Sequence, residues 1–159
     1  MRTALDTNIL SALWSREPHA AALSARLAHC KHEGALLIAP IVYAELLAHP
    51  NASESFLNDF LANTGIRVDY HLDEAVWTEA GQRFARYAHR RRQTMQEGPR
   101  RLLADFIIGA HALLHADRLM TLDPSRFQQD FPDLRLDSDS TPLDLPVNPP
   151  NRPQTRNPQ

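Results

Sequence analysis

Short strand-like runs separated by helical patterning decide what this chain can fold into. Arg2 to Leu5, Ala35 to Ala39, Ile66 to Tyr70 and Arg118 to Leu122 read as strands, and Leu134 to Leu136 as a last short one. The run Ala35-Leu36-Leu37-Ile38-Ala39 is continuously apolar, as expected of a parallel strand buried on both faces. Strands alternating with helices point to a parallel sheet covered on both sides. The expected fold is α/β: a parallel sheet of about four to five short strands with helices on both faces.

The helices between these runs carry their own start and stop signals. Ile9, Leu10, Leu13 and Trp14 define a short first helix, and Pro18 opens a second, Ala20 to Lys31, closed by Gly34. Pro40 suits the first position of a third helix, Ile41 to Ala48, because its missing N–H has no partner there anyway. Ser53 caps a fourth, with Phe56, Leu57, Phe60 and Leu61 at helical spacing and Gly65 at its end. Asp73 opens a long helix with Val76, Trp77, Ala80, Phe84 and Tyr87 on one face, running into His89-Arg90-Arg91-Arg92. A polar loop around Gly98-Pro99 follows. Leu102 to Ala116 is nearly all apolar and is expected to lie buried. Asp123-Pro124 then opens a helical turn. From Ser138 onward the chain holds six of its twelve prolines and no aromatic residue. Such a segment cannot bury enough apolar surface to fold, so the expectation is a folded domain over 1–137 and a disordered tail over 138–159.

Composition narrows the function classes. The chain has 159 residues, enough for one domain with a real core. A net charge of −2 gives no broad pull toward nucleic acid or anionic membrane, so any polyanion contact must use a local basic patch. Lys31 is the only lysine; the other basic residues are arginines, which can grip phosphate with two parallel hydrogen bonds. Cys30 is the sole cysteine, which excludes an intrachain disulfide and a thiolate zinc site. No apolar run approaches the ~18 residues of a membrane span, and Asp6 and Asn8 interrupt the only candidate signal-peptide core. The expected location is cytoplasmic.

Four acids stand at comparable places. Asp6 ends the first strand, and Asp123 ends the run Arg118 to Leu122. Glu45 lies in the helix after Pro40, and Asp105 in the first turn of the apolar helix. Each has a local explanation: Asp6 and Asp123 as helix caps, Asp105 as a complement to the helix dipole, Glu45 as a solvent-facing residue. Together they share one edge of one sheet, where open α/β folds gather their ligands. Arg100 and Arg101 offer Asp105 a counter-charge, yet several carboxylates converging on one point suit a hard divalent cation better. Oxygen-only ligands select Mg²⁺ or Mn²⁺ over Zn²⁺.

The order and spacing of these pieces resemble the PIN-domain family of metal-dependent ribonucleases, and within it the VapC-type toxins of toxin–antitoxin pairs. The resemblance spans about residues 2 to 136. It rests on Leu5-Asp6-Thr7-Asn8-Ile9-Leu10, Ala44-Glu45-Leu46, Leu103-Ala104-Asp105-Phe106-Ile107-Ile108-Gly109-Ala110-His111-Ala112-Leu113 and Leu119-Met120-Thr121-Leu122-Asp123. It implies a metal held by Asp6, Glu45, Asp105 and Asp123, with Asn8 and Thr121 orienting ligands or substrate. It also implies an endoribonuclease, a protein antitoxin and a homodimer. Arg100 and Arg101, at the mouth of the Asp105 helix, together with Arg90-Arg91-Arg92, are the candidate contacts for RNA.

Two other readings compete. A receiver-type or phosphoryl-transfer protein also has an acid pocket, but it needs a lysine late in the sheet, and Lys31 precedes the second strand. A non-catalytic PIN-like interaction module would use the arginines for a partner and the acids as caps. His111 and His115 have the i, i+4 spacing of a zinc pair, but Ala112 stands where a zinc protease needs Glu. Packing, or a favourable histidine near the helix C-terminus, is the better reading of that pair.

Overall fold

A computed structural model of the chain describes residues 1–15, 20–50, 52–94 and 101–137. The expected tail, Arg100, Pro18 and the Gly98-Pro99 loop lie outside the described residues. The strands are β1 (Arg2–Leu5), β2 (Ala35–Ile38), β3 (Ile66–Val68) and β4 (Arg118–Met120). The helices are α1 (Thr7–Trp14), α2 (Ala20–Glu33), α3 (Pro40–Leu47), α4 (Glu54–Thr64), α5 (Glu74–Thr94), α6 (Leu103–His115) and α7 (Pro124–Asp130).

All strand pairs are parallel, and the order across the sheet is β3-β2-β1-β4. Thr3, Ala4 and Leu5 are all buried. Successive strand residues point to opposite faces, so both faces of β1 are covered. The expected last strand reduces to a single parallel bridge, Leu119 with Leu136. Its register is fixed by Leu119 N–H donating to Arg135 O at 2.9 Å and Asp137 N–H to Leu119 O at 2.8 Å.

The helix ends follow from their chemistry. Ser53 Oγ accepts from Phe56 N–H at 3.1 Å, and Asp73 Oδ1 accepts from Val76 N–H at 3.1 Å. Gly65 ends α4 with φ of 72°, a left-handed conformation that a side chain would strain. Gly109 serves packing instead. A Cβ there would lie 2.4 Å from Phe131 Cε2, so only glycine lets α6 approach that ring.

Two burial expectations need correction. Trp77 is 52% exposed rather than part of the core face of α5. The buried stripe is Val76, Ala80 and Arg83, with Phe84 and Tyr87 packing on Phe106 at ring separations of 5.2 and 5.5 Å. Trp77, one residue on from Val76, is rotated about 100° away from that stripe. Continuous burial of α6 runs only from Phe106 to Ala112; Leu102, Leu103 and Leu114 are exposed.

The N-terminal edge of the sheet is closed by ions. The Arg118 guanidinium is buried, donates to Thr3 Oγ1 at 2.9 Å and pairs with Glu33 and Asp137. Arg26 meets the same Asp137 carboxylate at 2.7 Å. The opposite, carboxyl edge carries the candidate site.

Candidate functional site

The strand order places a reversal at β1, since the chain moves from β1 through β2 to β3 on one side and adds β4 on the other. In open parallel sheets such a switch point leaves a crevice outside the carboxyl ends of the two diverging strands. Asp6 follows β1 directly. Its N–H donates to Met120 O at 3.0 Å, which extends the β1–β4 ladder by one step. Leu5 pairs with Met120, so Thr121, the residue just after β4, stands level with Asp6.

That register builds a cradle for one carboxylate. Thr121 Oγ1 donates to Asp6 Oδ2 at 2.7 Å, and Asn8 Nδ2 donates to the same oxygen at 2.8 Å. Thr7 N–H donates to Asp6 Oδ1 at 2.8 Å, the local cap bond expected of an acid before a helix. Asn8 is fixed in turn, its Oδ1 accepting from Leu122 N–H at 3.1 Å. Asn8 and Thr121 therefore act on the acid itself, and through it on whatever the acid holds.

The Asp6 carboxyl has an abnormal affinity for protons. Burial raises its pKa to about 6, with the charges of Asp105 and Glu45 adding to the rise and the Thr121 and Thr7 hydrogen bonds opposing it. Three of the four expected acids thus share one electrostatic neighbourhood. Glu45 is brought in by α3 and accepts a hydrogen bond from Thr7 Oγ1. Asp105 sits in the first turn of α6, where its Oδ2 accepts from Leu102 N–H at 3.0 Å.

The fourth acid is placed differently. Strand β4 ends at Met120, so Asp123 lies three residues beyond the strand and not at its end. Its Oδ2 pairs with Arg126 Nε at 2.7 Å and its Oδ1 accepts from Ser125 Oγ at 3.0 Å. Its link to the cradle is through the backbone, Asp123 N–H donating to Thr121 Oγ1 at 3.1 Å.

The expected substrate grip by Arg101 does not match its surroundings. The guanidinium is 8% exposed, pairs with the buried Asp130 carboxylate at 2.5 Å and lies over the rings of Phe106 and Phe127. Its Nε is 3.7 Å from Asp105 Oδ2, so it stands behind that acid as a counter-charge. Arg90 is likewise committed to Asp130. Sequence reasoning missed Thr7 as the partner of Glu45 and Arg126 as the partner of Asp123. The second had a signal, since an acid before a helix and an arginine three residues later share one face.

A buried carboxylate at the switch point of a parallel sheet, acted on by the charges of two further acids, places the candidate site where open α/β proteins gather their ligands. The chain belongs to the PIN domain family, whose model matches residues 3–130. PIN domains are in general metal-dependent nucleases. Among solved structures, VapBC-1 from nontypeable Haemophilus influenzae is similar at 22% identity and a TM-score of 0.58, over 86% of this chain and 96% of that one. VapBC2 from Rickettsia felis, bound to a DNA fragment from their promoter, is similar at 22% identity and 0.55, over 86% and 97%. DNA-bound VapBC from Salmonella typhimurium is similar at 20% identity and 0.56, over 86% and 96%. At these identities the likeness is one of fold. No curated protein sequence matches the chain.

The donor chemistry of these acids suits a hard divalent cation, although among the described residues they are not drawn together as tightly as a preformed three-ligand site. Asp6 is 7% exposed, and burial together with the charges of Asp105 and Glu45 disfavours its ionised form. Among the described residues no helix is long and apolar enough to cross a membrane.

Proposed function

We propose that this chain is a metal-dependent endoribonuclease, the toxin half of a toxin–antitoxin pair. The single observation that carries the reading is the Asp6 carboxylate, buried at the switch point, held by three donors and pressed by the charges of Asp105 and Glu45. The family supplies the coarser class of nuclease, and the VapBC neighbours support the assignment to the toxin group.

Asp6, Glu45 and Asp105 are the proposed holders of Mg²⁺ or Mn²⁺. Asp123 joins them when Arg126 turns away, for instance toward a phosphate. An ion held by these acids would activate water for attack on the phosphodiester and offset the charge that develops there. The chain's own contribution is orientation. Thr121 and Asn8 fix one oxygen of Asp6, Thr7 fixes Glu45, and Arg101 holds the first turn of α6 against Asp130. Arg126, half exposed beside Asp123, is the described arginine best placed to meet an RNA backbone. A protein antitoxin and a homodimer follow from the resemblance as proposed partners.

The test is cleavage of RNA by purified protein. Cutting is expected with Mg²⁺ or Mn²⁺, to stop in EDTA, and to be lost in Asp6→Asn and Asp105→Asn. Undiminished cutting in excess EDTA would refute the metal mechanism. Absence of cutting by the antitoxin-free, metal-loaded protein on any cellular RNA would favour the non-catalytic interaction module.

A further inference from the structure

The sequence places His111 and His115 one turn apart on α6, and the fold adds a third group that their spacing alone cannot reveal. Asp69 follows β3, where its N–H donates to Ile38 O at 2.9 Å. Its Oδ2 lies 3.2 Å from His111 Nε2 and 3.2 Å from His115 Nδ1. These ligand atoms all fall within 4.8 Å of one another, and no other set of three histidine, cysteine or acid side chains among the described residues is so grouped.

We propose that Asp69, His111 and His115 form a second metal site, selective for a transition-metal dication such as Zn²⁺, separate from the oxygen pocket at Asp6. Two imidazole nitrogens and one carboxylate oxygen are the donor set that zinc and its neighbours prefer over Mg²⁺. The spacing agrees. Zinc bonds of about 2.0–2.1 Å in a tetrahedron set its ligands about 3.4 Å apart, close to the two separations of 3.2 Å.

The surroundings of the three groups are those of a built site. Asp69 Oδ1 accepts from His71 N–H at 3.2 Å, which turns Oδ2 toward both imidazoles. The outer nitrogen of His115, Nε2, lies 3.7 Å from Asp73 Oδ2, a carboxylate behind a histidine as metal-ligating imidazoles commonly have. The His71 ring stacks on His115 at 6.2 Å and covers that side. His111 is 1% exposed, and burial holds its pKa below the ordinary value against the pull of Asp69.

Such an ion would tie the segment after β3 to the later half of α6. His111 lies six residues beyond Asp105, about 9 Å along the helix axis. The site is therefore distinct from the acid pocket, yet it is anchored on the helix that carries Asp105.

The experiment is calorimetric titration of Zn²⁺ into tag-free, metal-stripped protein carrying Asp6→Asn, which disables the first pocket. One equivalent is expected to bind and to raise the melting temperature. Asp69→Asn and His115→Gln, added singly to that background, are expected to weaken binding at least tenfold and abolish the thermal shift. His115 is partly exposed, so its variant keeps the test valid where a His111 variant fails to fold. No saturable Zn²⁺ binding, or binding undiminished by both added variants, overturns the proposal.

Discussion

Replacing Asp6 with Asn isolates the electrostatic cost of the acid pocket. In the folded chain burial is the main cause of the rise in the Asp6 pKa from 3.8 to about 6, with Asp105 and Glu45 adding to it. At about 1.4 kcal/mol per pH unit, folding disfavours the ionised side chain by about 3 kcal/mol. The folded state binds this proton more tightly than the unfolded state. Its contribution to stability is therefore fully present below about pH 4 and is lost as the pH rises through about 6.

An asparagine escapes that loss but brings its own donor to a place where Thr7 N–H, Asn8 Nδ2 and Thr121 Oγ1 all donate. One frustrated hydrogen bond costs about 1 kcal/mol. In EDTA, Asp6→Asn is thus expected to be more stable than wild type by about 1–2 kcal/mol at pH 7.5, roughly 3–6 °C in melting temperature. At pH 4 it is expected to be less stable by about 1 kcal/mol, so the two stability curves cross between these pH values. Urea denaturation across pH 4–8 measures the difference directly. Parallel curves, with the variant weaker by the same amount at every pH, would refute the argument that Asp6 is an uncompensated buried charge. Adding Mn²⁺ at pH 7.5 is expected to stabilise wild type by mass action and the variant much less.

Arg101→Met removes one of the two arginines paired with the buried Asp130 carboxylate, leaving Arg90, and is expected to cost about 1.5–3 kcal/mol in urea denaturation. Gly109→Ala forces a Cβ against the Phe131 ring and is expected to cost about 1–3 kcal/mol, with the melting temperature falling accordingly. Ser53→Ala deletes the cap bond to Phe56 N–H and is expected to cost about 1 kcal/mol, read by thermal melting.

The strands and helices were legible because their signals are local. The apolar run after Gly34, Pro40 at a helix start, Ser53 as a cap and Gly65 as a stop each act within a few residues. Boundaries at the carboxyl edge were less legible. Leu122 looks like a strand residue, yet β4 stops at Met120, and the Leu122 N–H goes to the Asn8 side chain instead of to a ladder. The acid positions were visible in the sequence, and so was Arg101 as a counter-charge for Asp105, but the acid that fixes Arg101 was not. Asp130, which fixes both Arg90 and Arg101, is 25 residues beyond Asp105 and has no local pattern to mark it. An arginine beside an acid on a helix reads as exposed, and only the rings of Phe106 and Phe127 beneath Arg101 make it part of the core.

The same reasoning bears on why Asp123 stands apart from the other three acids. Its neighbour in register terms is not Asp6, since Thr121 occupies that level. Instead, Asp123 precedes a helix that begins with Pro124 and carries Arg126 within one turn, so the pair closes locally without help from the rest of the fold. A local ion pair exposed to water is worth little, about 0–1 kcal/mol, and is easily exchanged for a stronger partner. Under the proposed function, an arriving phosphate would compete for Arg126 and a cation near Asp6 for Asp123. The Asp123–Arg126 pair is a weak contact whose two halves have opposite preferences, which RNA and a metal ion would satisfy together.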